Sequence, residues 1–150
     1  MASLVKRIKH LYSDFLAADA EAIAEVYASD IVFSDPVHRL QGLANMQAYF
    51  AGVARNLEAC RFEFDQTLVD GSTLNLWWTM HYRHPRLAGG APLSLRGASL
   101  LRLDLEQDRV LEHEDIYDLG AMVYEQVPLL GSVLRYVKRQ MAQSGESHGQ

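Results

Sequence analysis

The chain has 150 residues, 49% of them hydrophobic and 22% charged, which fits one globular domain with its own core. A formal net charge of −5 excludes nucleic acid as the main partner, since phosphate binding needs a basic face. The single cysteine, Cys60, excludes an intramolecular disulfide and is expected to be a small buried group on a strand, in a reducing, cytoplasmic setting.

Lys6, Arg7, Lys9 and His10 put charge where a secretory leader would need an apolar run, and no apolar stretch approaches the length of a membrane span. No membrane contact is therefore expected. Leu4, Ile8, Leu11 and Phe15 recur at helical spacing and predict a first amphipathic helix. Asp19 is placed to cap a second helix that carries Ile23, Val26 and Tyr27 and stops at Ser29-Asp30. Residues 31–42, Ile-Val-Phe-Ser-Asp-Pro-Val-His-Arg-Leu-Gln-Gly, open as a short strand and end at a glycine. The third helix follows, with Met46, Tyr49, Phe50, Val53 and Leu57 as its apolar stripe.

The chain then changes to the alternation of strands. Cys60, Phe62 and Phe64 alternate with polar residues, and Asp70-Gly71 marks a hairpin turn. Strands are predicted over 73–84, 93–104 and 109–117, separated by a loop containing Gly89-Gly90 and a turn at 106–108. Four strands on short connections make an antiparallel meander. Residues 120–126 can form a short helical turn, which Val127-Pro128 interrupts. Leu130, Val133, Leu134, Val137 and Met141 then line one face of a last helix, with Arg135, Lys138 and Arg139 on the other. That helix is expected to cover a sheet or a partner. Residues 143–150 read as a frayed, disordered tail, leaving 1–142 as a single domain. The fold class is α+β, with the first three helices closing over the concave face of a curved antiparallel sheet around a conical cavity.

Asp35, flanked by Phe33, Pro36 and Val37, is the best single candidate for a proton-transferring group, because apolar surroundings disfavour a carboxylate's charged form. An Asp-Pro pair also commonly starts a turn in which the aspartate side chain accepts backbone hydrogen bonds, and both readings stand. His38 reads as an exposed loop histidine, or as a partner of Asp35 or of a ligand. On the last strand His113, Asp115 and Tyr117 share one face, and Glu112, Glu114, Ile116 and Asp118 the other. The i, i+2 spacing puts His113 and Asp115 too far apart for good direct contact, so a ligand or water is expected to bridge them. Two carboxylates and an imidazole in one cavity would suffice for general acid–base chemistry. The alternative is a solvated face, or a structural network with Arg96 or Arg102. Trp78, Met80 and Tyr82 share a face that reads as sheet core. Gly97 and Ser99 share a face of the next strand, where Gly97 implies a bend or a close backbone approach. No cysteine pair, His-Glu-x-x-His, phosphate loop or nucleophile elbow is present, so no metal is expected.

Three segments carry a resemblance: Ala18-Asp19-Ala20-Glu21-Ala22-Ile23 with Tyr27-Ala28-Ser29-Asp30; Phe33-Ser34-Asp35-Pro36-Val37 with Gly42; and His113-Glu114-Asp115-Ile116-Tyr117-Asp118. With the order of elements, they resemble the NTF2-like superfamily and its cone-shaped (cystatin-like) fold. That superfamily includes ketosteroid isomerases, SnoaL-like polyketide cyclases and limonene epoxide hydrolases. The resemblance implies that the His113–Tyr117 face is concave, that Trp78, Met80 and Tyr82 wall the cavity, and that Asp35 holds the general-base position of the isomerases. The isomerases' oxyanion tyrosine falls on Leu11, one residue from Tyr12, and their protonated aspartate aligns with Ser99. Their oxyanion hole is thus not reproduced residue for residue.

The function expected from residues and resemblance together is binding of an apolar small molecule. Its chemistry would be cofactor-free isomerisation or cyclisation, with Asp35, Asp115 and His113 as catalytic groups and Tyr12, His38, Trp78, Met80, Tyr82, Ser99 and Tyr117 as substrate-binding ones. Water activation on an epoxide by the two carboxylates is a second chemistry for the same cavity. A non-catalytic ligand-binding or protein-interaction module is the rival. The resemblance further implies a homodimer formed through the outer face of the sheet.

Overall fold

The computed structural model describes residues 2–122 and 135–143. Helix α1 (Ala2–Ser13) buries Leu4, Ile8, Leu11 and Tyr12 along one face, each burial contributing about 1.5–3 kcal/mol. A 3₁₀ turn over Phe15–Ala17 drives Phe15 into the core. Helix α2 (Ala20–Ala24) starts at Asp19, whose Oδ1 accepts the Ala22 N–H at 2.8 Å as an N-cap.

The second helix is shorter than the spacing predicts. Val26 lies beyond its end, and Tyr27 opens strand β1 (Tyr27–Ser34), which also takes in Ser29 and Asp30. The strand wins because Val26 and Tyr27 already meet the far end of the chain: Val110 N–H donates to Val26 C=O at 2.8 Å. From Ile31 onward the strand alternates, with Ile31 and Phe33 buried. A tight turn at Asp35–His38 returns the chain as a short strand β2 (Arg39–Gln41), which the sequence does not predict. Gly42, at φ +92°, then gives the left-handed entry into α3 (Leu43–Asn56), which buries Met46 and Phe50.

The meander follows as predicted: β3 (Ala59–Asp70), β4 (Thr73–Arg83), β5 (Leu93–Asp104) and β6 (Arg109–Tyr117). Gly71, at φ +58°, occupies the first position of the two-residue turn between β3 and β4. A short α4 (Leu119–Met122) follows β6, and residues 135–143 are helical, with Val137 and Met141 exposed. The expected contributions of Leu130, Val133 and Leu134, and of residues 144–150 of the tail, lie outside the described residues.

All strands form one curved, unclosed sheet in the order β2-β1-β6-β5-β4-β3. The meander is antiparallel, but β1 joins it parallel to β6 and carries the unpredicted β2 on its outer edge, so the five expected strands become six among the described residues. Register breaks that leave an extra residue at Asp65 in β3 and at Leu111 in β6 bend the strands. The core lies between the concave face and α1, the Phe15 turn and α3. On the outer face Arg96 pairs with Asp65 at 2.7 Å and covers the Trp77 ring, while Arg102 approaches Glu112 at 3.9 Å. Those arginines therefore do not reach the face of His113, contrary to the structural network considered for them. Among the described residues no helix is long and apolar enough to cross a membrane.

Candidate functional site

Strand register assembles the site. Parallel pairing sets Phe33 beside His113, with their rings 5.1 Å apart, and so carries Asp35 toward the level of Asp115 two residues on. On the other side of β6, Ser99 lies directly opposite Asp115, and one strand further Gly97 lies opposite Trp78. Two carboxylates eighty residues apart in sequence thereby share the concave face.

A cavity of about 720 Å³ opens there. Tyr12, Asp35, His38, Trp78, Met80, Tyr82, Asp115 and Tyr117 all line it. Ser99 and His113 are buried behind that wall. Of the two candidates for the tyrosine position on the first helix, Tyr12 lines the cavity, while Leu11 lines a separate groove with Ala22 and Val26.

Asp35 is a turn residue whose second oxygen meets the cavity wall. Its Oδ1 accepts the Val37 and His38 N–H groups at 2.8 and 2.6 Å, which fixes the turn, and its Oδ2 accepts the Tyr49 hydroxyl at 2.8 Å. The carboxyl group is almost fully enclosed, whereas His38, 3.3 Å from Oδ1, is 55% exposed.

Behind Asp115 runs a buried polar chain. Tyr12 and Tyr27 hydroxyls are 2.5 Å apart, Tyr27 meets His113 Nδ1 at 2.8 Å, and His113 Nε2 meets Asp115 Oδ1 at 2.6 Å. Ser99 donates to the same Oδ1 at 2.5 Å and accepts the Trp78 indole N–H at 2.9 Å. The expectation that His113 and Asp115 need a bridging ligand is thus overturned, for they touch directly. On the concave side of a curved strand neighbouring side chains converge, and an imidazole turned along the strand reaches its far nitrogen to the next residue on that face.

Tyr27 and Tyr49 are the site residues that sequence reasoning missed. Tyr49 carried a signal, since it was the one hydroxyl on the apolar stripe of the third helix. Tyr27 carried none once it was assigned to a helix. Cys60 is buried as expected, and Gly97 is explained by a close approach: a Cβ there would lie 2.3 Å from the Trp78 indole.

The hydroxyls of this site are held protonated. Burial pushes Tyr12 and Tyr27 well above the ordinary tyrosine range. Tyr49 is raised by burial and then by Asp35, and Tyr117 by burial and then by the Asp35 and Asp115 carboxylates, which disfavour a phenolate beside them. Burial alone pushes the Cys60 thiol up to about 12. These groups keep their protons in the folded state at pH values where the unfolded chain releases them. Their stabilisation is therefore complete below the ordinary values of 9.0 for cysteine and 10.0 for tyrosine and is lost as pH rises past them. The urea midpoint is expected to fall clearly between about pH 8 and about pH 10.5. An unchanged midpoint would show that these hydroxyls reach solvent.

Residues 8–113 match the SnoaL-like domain. No curated protein matches the chain. A provisionally assigned SnoaL-like polyketide cyclase from Shewanella denitrificans OS-217 is 18% identical, with a TM-score of 0.70 over 84% of this chain and 95% of its own. A protein of ketosteroid isomerase-like fold from Catenulispora acidiphila, solved in complex with trimethylamine, is 15% identical, with a TM-score of 0.70 over 82% of this chain and 90% of its own. AclR from Streptomyces galilaeus, provisionally assigned as a hydroxylase, is 17% identical, with a TM-score of 0.68 over 99% of this chain and 95% of its own. At these identities the likeness is one of fold. The domain match covers well over half the chain, and the element order and curved six-stranded sheet agree with it. The chain therefore belongs to the SnoaL-like domain family and has the NTF2-like fold.

Proposed function

We propose that the cavity binds a largely apolar small molecule carrying a carbonyl group and moves a proton at the carbon beside it, without a cofactor. The observation that supports this reading is the unequal state of two carboxylates in one aromatic-walled cavity. Asp35 has both oxygens engaged by its own chain. Asp115 accepts two hydrogen bonds on Oδ1, and its Oδ2 accepts none among the described residues. In this reading Asp115 Oδ2 takes the proton from carbon. Tyr117, whose hydroxyl makes no hydrogen bond among the described residues, donates to the carbonyl oxygen as negative charge builds there. The proton returns to carbon, and Asp115 ends ionised as it began. Asp35, at the position the resemblance assigns to the base, serves here to hold the turn and orient Tyr49.

The test is deuterium uptake at the carbons beside the carbonyl in a panel of apolar ketones, including an unconjugated 3-oxo steroid whose isomerisation appears as conjugated-enone absorbance. Wild-type protein is expected to catalyse uptake in at least one ketone, and Tyr117→Phe to slow it by about 10²–10³-fold. The rival reading is a binding module without chemistry, favoured by Asp35 being engaged within the chain and by the Tyr12 hydroxyl meeting Tyr27. Binding of panel members with no uptake by the wild type would decide for it. The homodimer implied by the resemblance would pair the outer sheet faces, where Trp77, Leu100 and Ile116 stand exposed.

A further inference from the structure

The buried chain behind Asp115 has a direction, and one end of it sets that direction. An indole N–H can only donate, so Trp78 makes Ser99 an acceptor, and the Ser99 proton must then point at Asp115 Oδ1. An oxygen that accepts at 2.5 Å does not itself carry a proton, since the hydroxyl oxygen of a carboxylic acid is a poor acceptor. Asp115 Oδ1 therefore also accepts from His113, and the proton between them belongs to Nε2. His113 is 2% exposed, so its two ring nitrogens meet only these partners, Tyr27 at Nδ1 and Asp115 at Nε2, among the described residues. Among the described residues the groups that titrate or carry charge around it are Asp115 on its own strand, Tyr27 from β1 and Tyr12 from α1, with the Phe33 ring as an apolar neighbour.

We infer that Tyr27, with Tyr12 behind it, is a positioning residue: it donates to His113 Nδ1 and so fixes the imidazole as its neutral Nε2–H form, leaving the Asp115 charge uncompensated. All donors then run one way, from Tyr12 through Tyr27 and His113 to Asp115, and from Trp78 through Ser99 to the same oxygen. A phenol is a better donor than acceptor, which suits Tyr27 to occupying the Nδ1 lone pair. If the lone pair were vacant, Nδ1 could take up a proton and His113 would become the counter-ion of Asp115. Oδ2 would then face the cavity on a neutralised pair and be a weaker proton acceptor. The arrangement also commits the Tyr12 proton to Tyr27, so Tyr12 can only accept from a ligand, and Tyr117 is left as the donor.

The consequence for catalysis rests on Asp115 being the proton acceptor, but the protonation state of His113 does not, so the two can fail separately. The experiment is a long-range proton–nitrogen correlation spectrum of the full chain labelled with ¹⁵N-histidine, at about neutral pH, with His113 assigned through the backbone. The expected wild-type result is a single ring proton, on Nε2. In Tyr27→Phe a second ring proton is expected on Nδ1, a change that loss of packing alone would not produce. A wild-type His113 protonated on Nδ1 would overturn the inference, and so would a folded Tyr27→Phe protein whose His113 matches the wild type. Should Tyr27→Phe fail to fold, the wild-type spectrum decides by itself. Deuterium uptake by the ketone panel, read in parallel, reports on the proposed reaction and not on the relay.

Discussion

Asp115→Asn is expected to slow deuterium uptake by about 10²–10⁴-fold, the usual contribution of a positioned general base, while leaving the fold in place. The amide keeps one oxygen, and that oxygen can still accept from Ser99 and His113 as Oδ1 does. What changes is the atom facing the cavity, which turns from a basic oxygen into an NH₂ donor that cannot take a proton. Packing and the buried chain are thus preserved while the proposed chemistry is removed. Asp35→Asn should behave differently. Its amide oxygen can still hold the Val37 and His38 N–H groups, but the hydroxyl of Tyr49 loses its acceptor and is freed to turn into the cavity. A modest loss, or a change of ligand preference, is expected there. Uptake rates and thermal melts on both variants check this. A rate unchanged in Asp115→Asn would sink Asp115 as the acceptor, and if Asp35→Asn alone abolished uptake, the base would sit where the resemblance places it.

Gly97→Ala is expected to destabilise the protein by about 1–3 kcal/mol, the usual range for overpacking a core. A Cβ at this position would lie 2.3, 2.7 and 2.8 Å from three atoms of the Trp78 indole, distances no pair of carbons sustains. The indole cannot swing aside freely, because it is buried, packs edge-on against Phe62 with ring centroids 5.0 Å apart, and is held by its hydrogen bond to Ser99. Moving it breaks that bond and opens the wall of the cavity. The melting temperature should fall by about 2–4 °C for each kcal/mol lost in a chain of this size. Trp78 emission should also shift to the red, while exposed Trp77 reports little change. Urea unfolding and fluorescence check both. If the two stay as in the wild type, the indole does not lie across Gly97.

The stretches read correctly from sequence share one property: their side-chain pattern is local and long enough to be unambiguous. β3 to β6 alternate over nine to twelve residues each, so the facing of Trp78, Met80 and Tyr82, and of His113, Asp115 and Tyr117, follows from the pleat. Where the pattern is short, the reading fails. Ile23, Val26 and Tyr27 fit a helical stripe as well as they fit the start of a strand, and α2 is only five residues long. The choice was made by β6, eighty-odd positions away, which offers β1 a parallel partner. The same pairing removed Tyr27 from any list of site residues drawn from sequence, since a residue assigned to the wrong element points the wrong way.

The two readings of Asp35 were competing in the sequence and coexist in the structure. Turn chemistry depends on the next three residues and was legible from Asp-Pro; contact with the cavity depends on Tyr49 from α3, fourteen positions later, and was not. By itself the sequence determined the α+β class, the meander and which residues share a face of each strand, because each follows from local periodicity; that the Trp78 indole lies across Gly97 was decided by the pairing of β4 with β5. Only the tertiary structure decided that His113 touches Asp115, that Tyr12 turns to Tyr27, and that one oxygen of Asp115 meets no donor among the described residues. Those contacts depend on strand curvature and on registers between distant segments, which no local pattern encodes.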